Sequence, residues 1–328
     1  MHFSFAEFVG NHGMLMGLLR GAAAGGALPS LVLAGPDGVG KKTFALMAAQ
    51  YLNCERATPE GTCGVCAHCR KIEQGLHPDV RLIVPDGNQI KIEQTRELSA
   101  DLQFRPFEGK KKVYILDPAD RLTEQATNSI LKTVEECPAY AWIVLLTEHP
   151  NALLPTIRSR CPVYRFAPVP AAEIESLLLR RGLESGKAKV LSRTCGGSVG
   201  RAITQDWEKL EAERSRALAL LESLAPESGF YRVRSFWSGL STAERARPML
   251  ESLLQTFLVL LRDILSLQED RSACIVHADI TTRLEQCGAA LSFQRICQLE
   301  ANARAALREM QRNVNPQILL ESLYFEGR

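Results

Sequence analysis

No stretch of the 328-residue chain approaches the ~20 consecutive apolar positions that a membrane-spanning helix requires. The first residues also lack the charged, apolar and cleavage regions of a secretory leader, so the expected location is the cytoplasm. Charge of one sign is missing as well: 39 Lys and Arg stand against 37 Asp and Glu, a net of +2. That balance gives no mandate for binding nucleic acid through a broadly basic surface. The densest basic run, Lys110-Lys111-Lys112, reads as a solvated turn before a strand. Internal repeats and low-complexity segments are absent. The length exceeds one typical domain and fits two or three.

What is present begins with Gly35-Pro-Asp-Gly38-Val-Gly40-Lys41-Lys42-Thr43. A short apolar run, Leu31 to Ala34, precedes it, and a helical pattern from Phe44 to Leu52 follows. Strand, glycine-rich turn and helix in that order let backbone N–H groups converge on an anion, with Lys41 placed to neutralise phosphate. The pattern departs one residue on. A phosphate loop wants Ser or Thr directly after the lysine, to put a hydroxyl on Mg²⁺, and Lys42 holds that place. Thr43 lies about 100° further round the helix and is an imperfect substitute.

The acidic motif that should complete such a site is Val113-Tyr-Ile-Leu-Asp117-Pro118. Asp117, at the end of a buried-strand pattern, could help hold a metal, but Pro118 can neither orient nor deprotonate an attacking water. Asp120 and Glu124 are the acids left in range. The expectation is weak or vestigial binding of ATP and Mg²⁺ and no useful turnover.

Four of the ten cysteines form a C-x8-C-x2-C-x2-C array at Cys54, Cys63, Cys66 and Cys69. Closely spaced thiols with Gly61 and Gly64 for the turns suit one tetrahedral Zn²⁺ in a closed structural site. His68 and His77 are possible substitutes for one thiolate. Cys137, Cys161, Cys195, Cys274, Cys287 and Cys297 read as small buried hydrophobes.

Along the chain, a helix is expected around Met14 to Ala24. Strands are expected at Val80–Val84, Val113–Leu116, Trp142–Thr147 and Cys161–Phe166, alternating with helices at Lys91–Gln103 and Leu122–Glu136. Alternation of this kind implies an α/β, mainly parallel, doubly wound sheet. Pro168 and Pro170 mark a boundary. Helices at Ala171–Gly182, Lys187–Cys195 and Val199–Leu210 suggest a small helical domain, and the leucine-rich remainder, including Leu250–Leu267 and Ala301–Asn313, an all-α one. The divisions are 1–167 with its cysteine module at 54–69, then 168–207, then 208–328.

The order of glycine loop, cysteine insertion, Asp117 strand, Leu131-Lys-Thr-Val-Glu-Glu136 and Leu153-Leu-Pro-Thr-Ile-Arg-Ser-Arg-Cys161 resembles the bacterial clamp-loader AAA+ subunits of DNA polymerase III. The likeness covers the first 205 residues well, and the rest by length and class. It implies an AAA+ nucleotide-binding-type domain, a helical lid and a helical collar. It also implies a non-motor, stator-like member of a five-subunit ring with gamma or tau motors and a delta subunit. Such a ring loads the sliding clamp on primer-template DNA. The resemblance gives Arg160, in Ser159-Arg160-Cys161, the role of a finger reaching a neighbour's ATP, with Arg158 its nearest competitor. Thr147 resembles a γ-phosphate sensor and Arg201 a lid contact to nucleotide, whereas Glu135 and Glu136 look like helix-terminal surface acids. The chain itself is expected to lack ATPase and polymerase activity within a DNA-directed DNA polymerase holoenzyme. Two alternatives are a gamma- or tau-like motor ATPase and a zinc-containing nucleic-acid binding module.

Overall fold

The computed structural model describes residues 8–11, 28–58, 61–223, 246–269, 275–289 and 291–310, with single positions 13, 17, 21 and 319. The helix expected over 14–24 falls outside this set apart from Gly17 and Gly21, and so does Cys274. Two compact units are present, Met1–Gly182 with Cys195–Ile203, and Leu183–Thr194 with Thr204–Arg328.

The first unit is built on five parallel strands: β1 (Leu31–Ala34), β2 (Val80–Ile83), β3 (Lys112–Leu116), β4 (Ala141–Thr147) and β5 (Val163–Arg165). Their spatial order is β2-β3-β4-β1-β5, with Leu31 opposite Val144, Val32 opposite Val163 and Val113 opposite Trp142. The three inner strands are buried at every residue, as their near-continuous apolar sequences, begun by Lys112 in β3 and ended by Thr147 in β4, require of a sheet covered on both faces. Alternation then sorts the side chains. Leu31, Leu33, Val113, Ile115, Val144 and Leu146 meet Phe44 and Met47 on one face. Val32, Ala34, Leu116, Ile143 and Leu145 meet Leu98, Ile130 and Ile157 on the other.

The covering helices are α1 (Lys41–Asn53), α2 (Ala67–Glu73), α3 (Ile92–Asp101), α4 (Glu124–Glu135), α5 (Pro155–Arg158) and α6 (Ala171–Arg180). Helix α4 starts where the Thr123 hydroxyl accepts the Ala126 N–H at 3.1 Å, and it buries Ala126, Ile130 and Val134 at fourfold spacing. On α3, Leu98 is buried as expected while Ile92 is only half-buried, Thr95 taking the other inward place.

The lysine run is a solvated turn only in part: Lys110 and Lys111 form an exposed to half-buried bend, while Lys112 belongs to β3. Lys112 is 3 % exposed, and its ammonium bonds the Asp101 carbonyl at 2.8 Å and lies 3.0 Å from the Asp101 carboxylate. The Lys110 and Lys111 N–H groups both donate to Asn53 Oδ1 at 2.9 Å, and the Lys110 ammonium donates to the Cys54 carbonyl. Just upstream, the buried Asp79 carboxylate accepts the N–H groups of Phe107, Glu108 and Gly109 at 2.7 to 2.9 Å. These basic residues anchor β3 and its leading loop because their partners lie far away in sequence.

Further helices are α7 (Ser185–Thr194), α8 (Val199–Thr204), α9 (Trp207–Ser223), α10 (Ala246–Gln268), α11 (Thr281–Ala289) and α12 (Phe293–Met310). The single helix expected over Val199–Leu210 breaks into α8 and α9, because the Asp206 carboxylate accepts the Glu208 N–H at 2.9 Å and starts a new helix. In the second unit Leu220, Leu254, Phe257, Leu261, Leu284, Ile296 and Leu299 form one buried cluster. This is the helical core that the leucine-rich sequence implied. No helix among the described residues is long and apolar enough to cross a membrane.

Candidate functional site

The glycine-rich loop leaves the C-terminal end of β1, an interior strand between β4 and β5, and enters α1 at Lys41. Gly38 (φ 70°) and Gly40 (φ 101°) occupy left-handed backbone that a side chain would strain. A Cβ on Gly38 would also stand 2.1 Å from the Ser198 hydroxyl, and the Gly200 N–H donates to the Gly38 carbonyl at 2.8 Å. The segment that carries Arg201 is therefore strapped to the loop. The exposed Arg201 follows it, its own N–H donating to the Ser198 hydroxyl at 3.2 Å.

Lys41 is 7 % exposed, and its ammonium donates to the carbonyls of Gly35 and Pro36 at 2.6 and 2.7 Å. Burial lowers its pKa, against the opposing pull of Glu148, Asp37, Asp117 and Asp120. The Lys42 ammonium turns the other way and lies 3.6 Å from Asp117 Oδ2. Thr147 is wholly buried; its hydroxyl donates to Asp120 Oδ1 at 2.6 Å and accepts the His149 N–H at 3.0 Å. Thr43 is half-buried on the first turn of α1. Asp120 and Glu148 thus join the acids around Lys41, whereas Glu124 sits exposed at the start of α4. The signal for Asp120 was its position three residues past Asp117. Nothing in the sequence pointed to Glu148.

The Ser159-Arg160-Cys161 segment closes α5 and feeds β5. Cys161 and Ile157 are buried in the core, which fixes the backbone, and Arg160 is turned outward with its side chain 35 % exposed. Its guanidinium pairs with Glu135 at the end of α4 and donates to the Thr156 carbonyl at 3.1 Å. Glu135 is a surface acid, as expected, with a specific partner in addition. Arg158 instead bonds the Asn151 side chain at 3.2 Å.

The four array cysteines do converge. One ligand atom from each of Cys54, Cys63, Cys66 and Cys69 lies within 4.8 Å of all the others, with Cys54 and Cys69 fully buried. The Cys63 and Cys66 N–H groups each donate to the preceding cluster sulfur at 3.4 Å. Burial raises the Cys54 and Cys69 thiols, while the Val65 N–H pulls Cys63 down to about 6. Such a donor set can hold a metal ion, and soft thiolates in fourfold array fit zinc.

His68 and His77 do not stand in for a thiolate. They face each other at 2.9 Å, beside Glu108, as a separate cluster. The Asp79 N–H donates to His77 Nδ1 at 3.1 Å, so the neutral ring carries its proton on Nε2, facing His68. An Nε2–H does not ligate a cation in that tautomer; the two rings bond each other, while Glu108 lies 3.7 Å from His77 Nε2 and accepts the Lys71 ammonium at 2.6 Å. Of the remaining cysteines, Cys161 and Cys195 are buried and Cys137, Cys287 and Cys297 half-buried, with burial raising the thiols of Cys137, Cys161, Cys195 and Cys287.

A family model described as DNA polymerase III, delta subunit, matches residues 12–170, and one for the C terminal of that subunit matches 217–326. The delta-prime subunit of DNA polymerase III from Bacillus subtilis is 30% identical over 291 residues, 88% of this chain and 87% of that protein. The chain belongs to the DNA polymerase III delta-prime family of clamp-loader subunits. The Escherichia coli delta-prime subunit is 31% identical over 201 residues, 59% of this chain and 60% of that one. The tau subunit of Salmonella typhimurium is 34% identical over 207 residues, 61% of this chain but 32% of tau.

Proposed function

We propose that the chain is the non-motor, stator-like delta-prime subunit of the DNA polymerase III clamp loader, and that it works by completing a neighbour's active site. The observation that carries this reading is the contrast in charge between two places. At the chain's own loop Lys42 faces Asp117, Thr147 holds Asp120, and Pro118 stands where hydrolysis needs an acid. At the Ser-Arg-Cys segment a guanidinium is presented at the surface on a buried, fixed backbone.

In this reading Arg160 leaves Glu135 on assembly and neutralises the charge that develops on the phosphoryl group of ATP held by a gamma or tau neighbour. Arg is suited to this because its planar fork stays charged and meets two oxygens at once. The chain's own Gly35, Gly38, Gly40, Lys41, Lys42, Thr43, Asp117, Thr147 and Arg201 then form a weak or vestigial nucleotide site. Cys54, Cys63, Cys66 and Cys69 hold a structural Zn²⁺. Residues 208–328 form the collar through which a five-membered ring with delta and the motors assembles, after a sheet domain over 1–167 and a lid over 168–207. The shared task is loading the sliding clamp on primer-template DNA.

The test is DNA- and clamp-stimulated ATPase of the reconstituted loader. Arg160→Ala should assemble normally and reduce turnover by roughly 10³-fold if the finger acts as in the best-studied systems. Unchanged turnover would return Arg160 to the ordinary surface.

A further inference from the structure

The residue after the loop lysine decides whether a divalent cation has a place here. A metal-dependent phosphate loop offers Mg²⁺ a hydroxyl at that position and a carboxylate across from it, since the ion takes only oxygen donors in near-octahedral array. Here the position is Lys42. Its ammonium has three donors and no lone pair, so it cannot be a ligand. It lies 3.6 Å from Asp117 Oδ2, the carboxylate that would face the metal. A further carboxylate near the loop is committed too, because Asp120 Oδ1 accepts the buried Thr147 hydroxyl at 2.6 Å. Thr43 begins a different line down α1, about 100° from Lys42. The residues present do not fit Mg²⁺.

They do fit an anion. Lys41 lies buried against the carbonyls of Gly35 and Pro36, within the loop whose left-handed glycines shape it, and Lys42 is half-exposed beside it. Two ammoniums from successive residues of the loop supply the positive charge that one lysine and a metal supply elsewhere. The acids around Lys41 are Asp37, Asp117, Asp120 and Glu148, of which Asp117 also pairs with Lys42. Phosphate oxygens would compete with Asp117 for Lys42 and with two carbonyls for Lys41, which keeps such binding weak. We propose that the Lys42 ammonium takes the place of the divalent cation, so that nucleoside triphosphate binds this loop through lysines and backbone N–H groups without Mg²⁺. The inference rests on reading residues 35–43 as a nucleotide loop and not on the role given to Arg160.

Equilibrium binding of ATP to the full chain, in excess Mg²⁺ and in EDTA, tests it. The wild-type affinity should change by less than about twofold between the two conditions, well under the tenfold step that one ligand-sized interaction makes. Lys42→Thr should become metal-dependent, binding at least about tenfold more tightly in Mg²⁺ than in EDTA. Asp117→Asn, which removes a competing anion, should tighten ATP binding in both conditions, whereas a metal ligand's loss would weaken it in Mg²⁺ alone. Wild-type binding lost in EDTA would overturn the proposal, as would no binding in either condition. Neither result would touch the Arg160 assay, so the two readings fail separately.

Discussion

The glycine-rich loop and the Ser-Arg-Cys segment lie in the same compact unit and treat their charges in opposite ways. At the loop nearly every polar group is answered from within the chain: Lys41 by two carbonyls, Lys42 by Asp117, Thr147 by Asp120, and Gly38 by Gly200. At Arg160 the backbone is anchored by buried Cys161, but the guanidinium meets only a half-exposed acid and one carbonyl at the surface. A site closed on itself has little left to spend on a ligand. An exposed ion pair is worth roughly 0–1 kcal/mol and is easily exchanged for a better partner. The proposed division of labour, a weak site at the loop and a finger offered at Arg160, rests on this difference.

The cysteine cluster sharpens the comparison, because it too faces inward, with Cys54 and Cys69 fully buried. The double variant Cys63→Ser and Cys66→Ser should lose the metal and destabilise the first unit by several kcal/mol, as binding energy of a structural zinc is folding energy. Metal analysis with thermal unfolding reads both; stoichiometric zinc retained by the variant would sink the assignment.

A smaller loss is expected at Asp79, a buried acid that accepts three N–H groups. Removing its carboxylate leaves three N–H groups without their acceptor, and Asp79→Ala should cost about 2–4 kcal/mol in denaturant unfolding. Burial alone would raise the Asp79 pKa, but those three N–H groups and His77 outweigh it and the net shift is downward. A depressed pKa contributes stability that is complete above the unfolded value of about 3.9 and is lost as pH falls through the folded one. Acid unfolding should therefore lose a component below about pH 4 in Asp79→Asn relative to wild type. A superimposable acid profile would remove Asp79 from the account.

The smallest effect is expected at Glu135. With side-chain exposures of 43% for Glu135 and 35% for Arg160, the pair is a surface bridge, and Glu135→Gln should change stability by less than about 0.5 kcal/mol. Loader turnover should survive that change. A large loss of stability would mean that Arg160 is built into this chain rather than offered to another.

Much of the fold was legible because parallel strands covered on both faces must be near-continuous apolar runs, and β1, β3 and β4 are such runs. Thr123 could have announced the start of α4, and Asp206 that of α9, had their capping roles been weighed. What escaped depends on partners far away in sequence. Lys112 looked like solvent because Asp101 is not its neighbour in the chain, and the lysine run's anchor Asn53 lies 57 residues from Lys110. Asp120 was visible as an acid in range, but its bond to Thr147 required β4 to lie beside β3. The cysteine array was readable from spacing alone, whereas the tautomer that removes His77 from metal binding needed the Asp79 backbone.

The most direct measurement places the two regions in one assay: DNA- and clamp-stimulated ATPase of reconstituted loaders carrying Lys41→Ala or Arg160→Ala in this chain, with assembly matched by sedimentation. The account expects Lys41→Ala to leave turnover within about twofold of wild type and Arg160→Ala to lower it by roughly 10³-fold. The reverse pattern, turnover lost with Lys41 and kept without Arg160, would contradict it and make this chain a motor.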